Sequence, residues 1–173
     1  LSFDGRYAAY TRRAEPGVAS NDLFLIDVAT GVETRLTDHS AIKKILGWTP
    51  DSLAVIYQIQ DRQQTWLDLN RAERASGTTS TLLKETSRTW VERWQDASAD
   101  PIWLRDGSFL WLSERTGWRH VYHYAGAGSL IRQVTSGEWE VRRVHALDSA
   151  ETTLFLSATA HSPAGGAEPG IAL

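Results

Sequence analysis

Few side chains in this sequence are placed to do chemistry. The candidates are the Arg119-His120 couple in GWRH, the carboxylates of Glu114, Glu138 and Glu140, and five histidines at 39, 120, 123, 145 and 161. An acid–base pair of carboxylates has to face across a cleft. Glu138 and Glu140 merely flank Trp139, so solvated or strand-pairing roles are expected for them and for Glu114. Arg119 and His120 are read as groups that satisfy buried carbonyls or pair with a turn carboxylate. The histidines lack ligand spacing on one rigid element and there is no cysteine, so neither a metal nor a cofactor is expected. No serine lies in a G-x-S-x-G elbow, the strained turn that exposes a nucleophile. Asp4-Gly5 and Asp106-Gly107 are turn signals, because Asp bonds its own local backbone and Gly takes the left-handed position. Asp61-Arg62 is read as an inter-strand ion pair or hydrogen bond rather than a ligand contact.

These residues sit in a globular chain. Of 173 residues, 42% are hydrophobic and 23% charged, which excludes a disordered segment. A formal net charge of -3 gives no footprint for nucleic acid. No apolar run approaches the roughly 18 residues needed to span a bilayer. Leu1 opens a sequence without methionine, so a segment of a longer chain is expected. All 8 tryptophans lie between Trp48 and Trp139, so this stretch has to bury large flat groups.

The elements that position the candidates follow an internal repeat. LSFDGRYAAY (1–10), LGWTPDSLAVIY (46–57), IWLRDGSFLWLS (102–113) and HALDSAETTLFLSA (145–158) share a hydrophobic approach, an Asp turn and a short apolar strand. The turn residues are read as Asp4, Asp51, Asp106 and Asp148, spaced close to the period of about 40–50 residues of four-stranded blades. Within a repeat the strand after the turn (7–11, 54–59, 109–113) leads to a second (22–28, 65–70, 120–124). A Gly-bearing turn then leads to a last strand (33–37, 79–83, 130–135). Only 86–97, with Trp90 and Trp94 at i, i+4, has helical spacing, and a strand or loop is equally open there. The expected fold is all-β: a partial β-propeller of about three and a half four-stranded antiparallel blades. Its units are expected at 1–45, 46–101, 102–144 and an incomplete 145–173, in a single domain.

From residue 46 onward the chain resembles dipeptidyl peptidase IV-type N-terminal domains of the prolyl oligopeptidase superfamily. The carrying motifs are GWTPDSLAVIYQIQDRQQTWLDL (47–69), FLWLSERTGWRHVYHY (109–124) and IRQVTSGEWEV (131–141). The resemblance implies an eight-bladed propeller that gates and positions peptide substrates for a C-terminal α/β-hydrolase domain of the same polypeptide. The catalytic residues would lie in that hydrolase, and this chain would hold none. The family's amine-binding glutamate pair has no counterpart, since no Glu-Glu occurs here. The resemblance places Trp94 and Gln95 at the bound peptide, with a blade-packing role as the alternative for Trp94. Gln95 departs from the Arg that family members can carry. A homodimer, and a periplasmic, secreted or membrane-tethered location, are further implications. The competing reading is a non-enzymatic TolB- or WD40-like propeller for protein or ligand binding.

Overall fold

Hydrophobic alternation, broken by left-handed turn residues, builds this chain as a series of antiparallel meanders. The computed structural model describes residues 1–13, 20–38, 41–91, 100–159 and 171–172. The strands are β1 (Tyr7–Arg13), β2 (Asn21–Asp27), β3 (Glu33–Arg35), β4 (Lys43–Trp48), β5 (Ala54–Gln60), β6 (Trp66–Glu73) and β7 (Thr79–Thr86). They continue as β8 (Ile102–Trp103), β9 (Phe109–Ser113), β10 (His120–Tyr124), β11 (Leu130–Gln133), β12 (Val141–Leu147), β13 (Thr153–Ala158) and β14 (Ile171–Ala172). They form four small sheets in which sequence neighbours are always spatial neighbours: β1-β2-β3, β4-β5-β6-β7, β8-β9-β10-β11 and β12-β13-β14. The fold is therefore all-β, and no helix is present among the described residues. The chain divides into two compact units, Leu1–Val91 and Glu92–Leu173.

In the first unit two sheets share one core. Leu23 and Leu25 of β2 meet Val55, Tyr57 and Ile59 of β5, with Leu36, Trp48 and Ala72 completing the cluster. The strand period of two sends these alternate residues to one face. Each such side chain contributes about 1.5–3 kcal/mol on burial. The second unit repeats the arrangement: Leu110 of β9 and Val121 of β10 pack on Val141 of β12 and Leu154 of β13, with Leu104. The opposite face of β9 and β10 is aromatic. Phe109 stacks on its cross-strand partner Tyr124 at 5.3 Å and meets Trp103 at 5.1 Å.

One turn recurs before β1, β5, β9 and β13. The amide of the residue at its third step donates to the carbonyl at its start: Gly5 to Ser2 (2.9 Å), Ser52 to Thr49 (2.8 Å), Gly107 to Leu104 (3.0 Å) and Glu151 to Asp148 (3.0 Å). Each donor is left-handed, with φ of 70°, 58°, 82° and 57°. The carboxylates of Asp4, Asp51 and Asp106 accept the amide two residues on, from Arg6, Leu53 and Ser108. This frame corrects the reading of Asp148. It stands where Ser2 and Thr49 stand, two steps earlier than the other aspartates, and Ala150 holds the Asp position. Asp148 Oδ1 takes the Thr153 amide at 2.8 Å, as Ser2 Oγ takes that of Tyr7 and Thr49 Oγ1 that of Ala54.

Candidate functional site

Ser108, His123 and Asp106 meet at one end of the β9–β10 pair. Ser108 Oγ lies 2.8 Å from His123 Nε2 and donates to Asp106 Oδ1. The residue types are those of a hydrolytic triad, but the connections are not. In a triad the carboxylate holds the far nitrogen of the imidazole, so that the near nitrogen takes the serine proton. Here the carboxylate takes the serine's single proton itself, so His123 Nε2–H has to donate into Ser108 Oγ. Burial, with Arg132 nearby, pushes the His123 pKa below its ordinary value, and Asp106 opposes this. The cluster ties the turn before β9 to β10, and no activated nucleophile results. The two strands bring together residues 15 apart, a proximity that no linear motif announces.

The GWRH and TSG-x-WEV motifs prove to be two halves of one structure. His120 Nδ1 sits 3.1 Å from Thr135 Oγ1 and His120 Nε2 sits 3.0 Å from the Gly137 carbonyl. A carbonyl only accepts, so the Nε2–H form is the one that fits, with Nδ1 taking the Thr135 proton. Thr135 Oγ1 in turn accepts the Val121 amide at 2.9 Å. Trp139 meets the His120 ring edge-on at 5.1 Å. Arg119, 1% exposed, donates from Nη1 to the Arg142 carbonyl, and its own carbonyl takes the Val141 amide. The buried Arg-His couple therefore binds the chain after β11 and the start of β12 to β10, through the Gly137 and Arg142 carbonyls and the Thr135 hydroxyl.

The first unit carries the ionic version of the same clasp. The Leu23 amide donates to Thr37 Oγ1 at 2.9 Å, as Val121 does to Thr135, and Asp22 takes the place of His120. Asp22 pairs with Arg35 and, at 3.4 Å, with Lys43 Nζ, whose side chain is fully buried. Asn21 Nδ2 holds the Lys43 carbonyl, the counterpart of Arg119 on Arg142. Burial raises the Asp22 pKa, but the Arg35 bond and the Lys43 and Arg35 charges outweigh it and leave the carboxyl below its usual range. Burial also lowers Lys43, with Asp22 opposing. Both partners are anchored: Asp22 by Arg35 and Lys43, and the Lys43 ammonium also by the Asn21 and Ala41 carbonyls.

Trp94 and Gln95 lie outside the described residues. The chain immediately before them is described. Trp90 is 58% exposed, and Val91 is bonded on both sides to the β5–β6 hairpin: its amide to the Gln64 carbonyl and its carbonyl to Gln60 Nε2 at 2.9 Å. Gln60 Oε1 is buried without a hydrogen-bond partner among the described residues. A buried acceptor left so costs about 1–3 kcal/mol. Asp61 shapes this loop, accepting from Thr65 Oγ1 at 2.7 Å and the Trp66 amide at 3.0 Å. Of the two roles read for this pair, Asp61 takes the hydrogen-bonding one, within the turn. Glu140 bonds Arg142 at 2.7 Å, and Glu114 and Glu138 are exposed. His39 and His161 lie outside the described residues, and among those described no group of three His, Asp or Glu side chains is placed to hold a metal.

Four meander sheets with a repeated Asp turn and a repeated inter-sheet clasp define a repeat protein of the all-β class. The chain belongs to the dipeptidyl peptidase IV (DPP IV) N-terminal region family, which matches residues 41–167. It is 27% identical over 128 residues to the inactive dipeptidyl peptidase 10 of Rattus norvegicus, and equally to that of Mus musculus. That match takes in 68% of this chain and 16% of each relative, so the chain spans about a sixth of their length. Among solved structures, dipeptidyl peptidase 4 of Porphyromonas gingivalis superposes with a TM-score of 0.71 at 20% identity, over 90% of this chain and 25% of that one. A candidate TolB from Agrobacterium tumefaciens gives 0.58 at 18% identity, over 90% and 51%. These two likenesses concern the fold. No helix among the described residues is long and apolar enough to cross a membrane.

Proposed function

We propose that this chain is the non-catalytic propeller part of a dipeptidyl peptidase IV-like serine exopeptidase. Its four sheets would be successive blades of an eight-bladed ring, in units near 1–45, 46–101, 102–144 and 145–173. The ring gates peptides and positions them for a C-terminal α/β-hydrolase domain. The observation that carries this reading is the family match over 41–167, whose GWRH and TSG-x-WEV motifs close into the His120–Thr135–Gly137 clasp. The wiring of Ser108, His123 and Asp106 supports a catalytic centre elsewhere in the polypeptide. Trp94 and Gln95 are assigned to the bound peptide, Trp94 offering an aromatic face and Gln95 a neutral polar group. A homodimer, and a periplasmic, secreted or tethered location, belong to the same proposal.

The experiment is a comparison of the isolated chain with the product of the whole gene on a Gly-Pro chromogenic amide. The isolated chain is expected to be inert and the full-length protein to release the chromophore. Turnover by the isolated chain would overturn the placement of the nucleophile. The likeness to the Agrobacterium TolB fold favours a second reading, a binding propeller without a hydrolase. A gene product that ends after its last blade and binds peptide without cleaving it would establish that reading.

A further inference from the structure

Inside each unit two sheets meet by one rule. After every recurring turn a carbonyl, of Tyr7, Ala54, Ser108 or Thr153, accepts the amide of Ser2, Thr49, Leu104 or Asp148, and this rung aligns the four strands that follow. Two residues beyond it stand Ala9, Ile56, Leu110 and Phe155, and one further on stand Tyr10, Tyr57, Trp111 and Leu156. The strand period of two keeps these two sets on opposite faces. The first sheet of each unit presents the former set: Ala9 packs with Leu23 and Leu25, and Leu110 with Val121. The second sheet receives it with the latter, Tyr57 in one unit and Leu156 in the other. Of the faces not used inside a unit, those of Ile56 and Trp111 are buried, and those of Tyr10 and Phe155 are open. Tyr10 stacks on Phe24 at 5.7 Å with both rings only half-buried. Phe155 is 55% exposed and stands opposite Ala146, which is too small to screen it.

We infer that the Phe155 face of one copy of this chain docks on the Tyr10–Phe24 face of a second copy, head to tail. One face is of the presenting kind and the other of the receiving kind, so each supplies what the other lacks. Both are open in the single chain, so they do not meet within it, and a second copy brings them together. The Arg12 guanidinium 4.0 Å from the Phe24 ring does not bar a neighbour. Arg115 lies 4.4 Å from the Tyr122 ring in the second unit, and Tyr122 is 2% exposed. A contact between two different faces is heterologous, so it runs on into a closed ring or an open string of copies. The inference goes beyond the peptidase reading and does not depend on a hydrolase domain.

Each unit closes its own hydrophobic cluster, so the 173-residue chain is the species to test. Sedimentation velocity compares the wild type, Phe24→Lys, Phe155→Lys and an equimolar mixture of the two variants, with circular dichroism to check that each is folded. Tyr10→Lys serves where Phe24→Lys does not fold. The wild type is expected to associate and each variant alone to stay monomeric. The mixture keeps one intact pair of faces, Phe155 from one variant and Phe24 from the other. It is expected to form a dimer at concentrations at least about tenfold below those either variant alone requires. A mixture that stays monomeric overturns the inference, because the contact then needs like faces or both faces of one copy. Association that survives either single variant, or a wild type that is monomeric at high concentration, also overturns it.

Discussion

Gly137 concentrates three demands at one residue. Its φ is 129°, its carbonyl faces His120 Nε2, and an added Cβ would fall 2.5 Å from Trp139 Nε1. Gly117 is also left-handed, at φ 90°, but a Cβ there would meet nothing within 4 Å. Gly117→Ala is expected to cost about 1–2 kcal/mol from backbone strain alone. Gly137→Ala is expected to cost clearly more, because Trp139 has to move and the ring contact on His120 goes with it. Urea unfolding of the two variants side by side checks the order, and equal losses would mean that Trp139 is free to yield. His123 supplies a pH test at the same scale. Its folded pKa lies below the unfolded value of about 6.5, so the folded state binds fewer protons between those values. The stability it contributes is present above that window and is lost as the pH falls through it. His123→Gln is expected to flatten the dependence of Tm on pH below about 6.5, and an unaltered slope would assign the effect to another group.

At the scale of elements, three non-glycine residues among those described occupy the left-handed region, and they are not equivalent. Ser52 Oγ accepts the Phe3 amide and Glu151 holds the Arg105 amide, so a glycine there relieves strain and loses a bond. Gln64 is exposed and contributes its backbone to Val91. Gln64→Gly is therefore expected to gain a few tenths to about 1 kcal/mol, the relieved strain exceeding the entropy that glycine loses on folding. Thermal unfolding reads this as a raised Tm, and a lowered Tm would show that the Gln64 side chain matters. The strands that come after each turn were legible because alternation and a Gly-bearing turn bracket them, and 109–113 and 120–124 match β9 and β10 residue for residue. The strands before each turn were not. Gly47 opens a bulge in β4, and β8 is two residues long beside Pro101, so neither shows a period. The fourth turn was misread because Asp fits two of its positions, as acceptor for the amide two steps on or five steps on. The clasps were invisible in sequence. A threonine hydroxyl joins residues 14 apart in both units, and nothing local marks Thr37 or Thr135 for that use.

Within each unit, one sheet face has no packing partner among the described residues. In β13 the period of two buries Leu154 in the second unit's core and turns Phe155, 55% exposed, the other way. In β1 and β2 the same period places Tyr10 against Phe24 at 5.7 Å with the Arg12 guanidinium 4.0 Å above the Phe24 ring, away from Leu23 and Leu25. The two faces differ in what protects them. Arg12, paired also with Glu33, covers an aromatic with charge, whereas Phe155 stands opposite Ala146 with no charged group over its ring among the described residues. An uncovered apolar sheet face drives association. The isolated 173-residue chain is therefore expected to self-associate through the Phe155 face, and Phe155→Lys to shift it toward monomer in sedimentation velocity without lowering Tm. A wild-type chain that stays monomeric at high concentration would remove the premise. Association that survives Phe155→Lys but yields to Phe24→Lys would move it to the first unit, where the Arg12 cover would then be too thin to keep sheets apart.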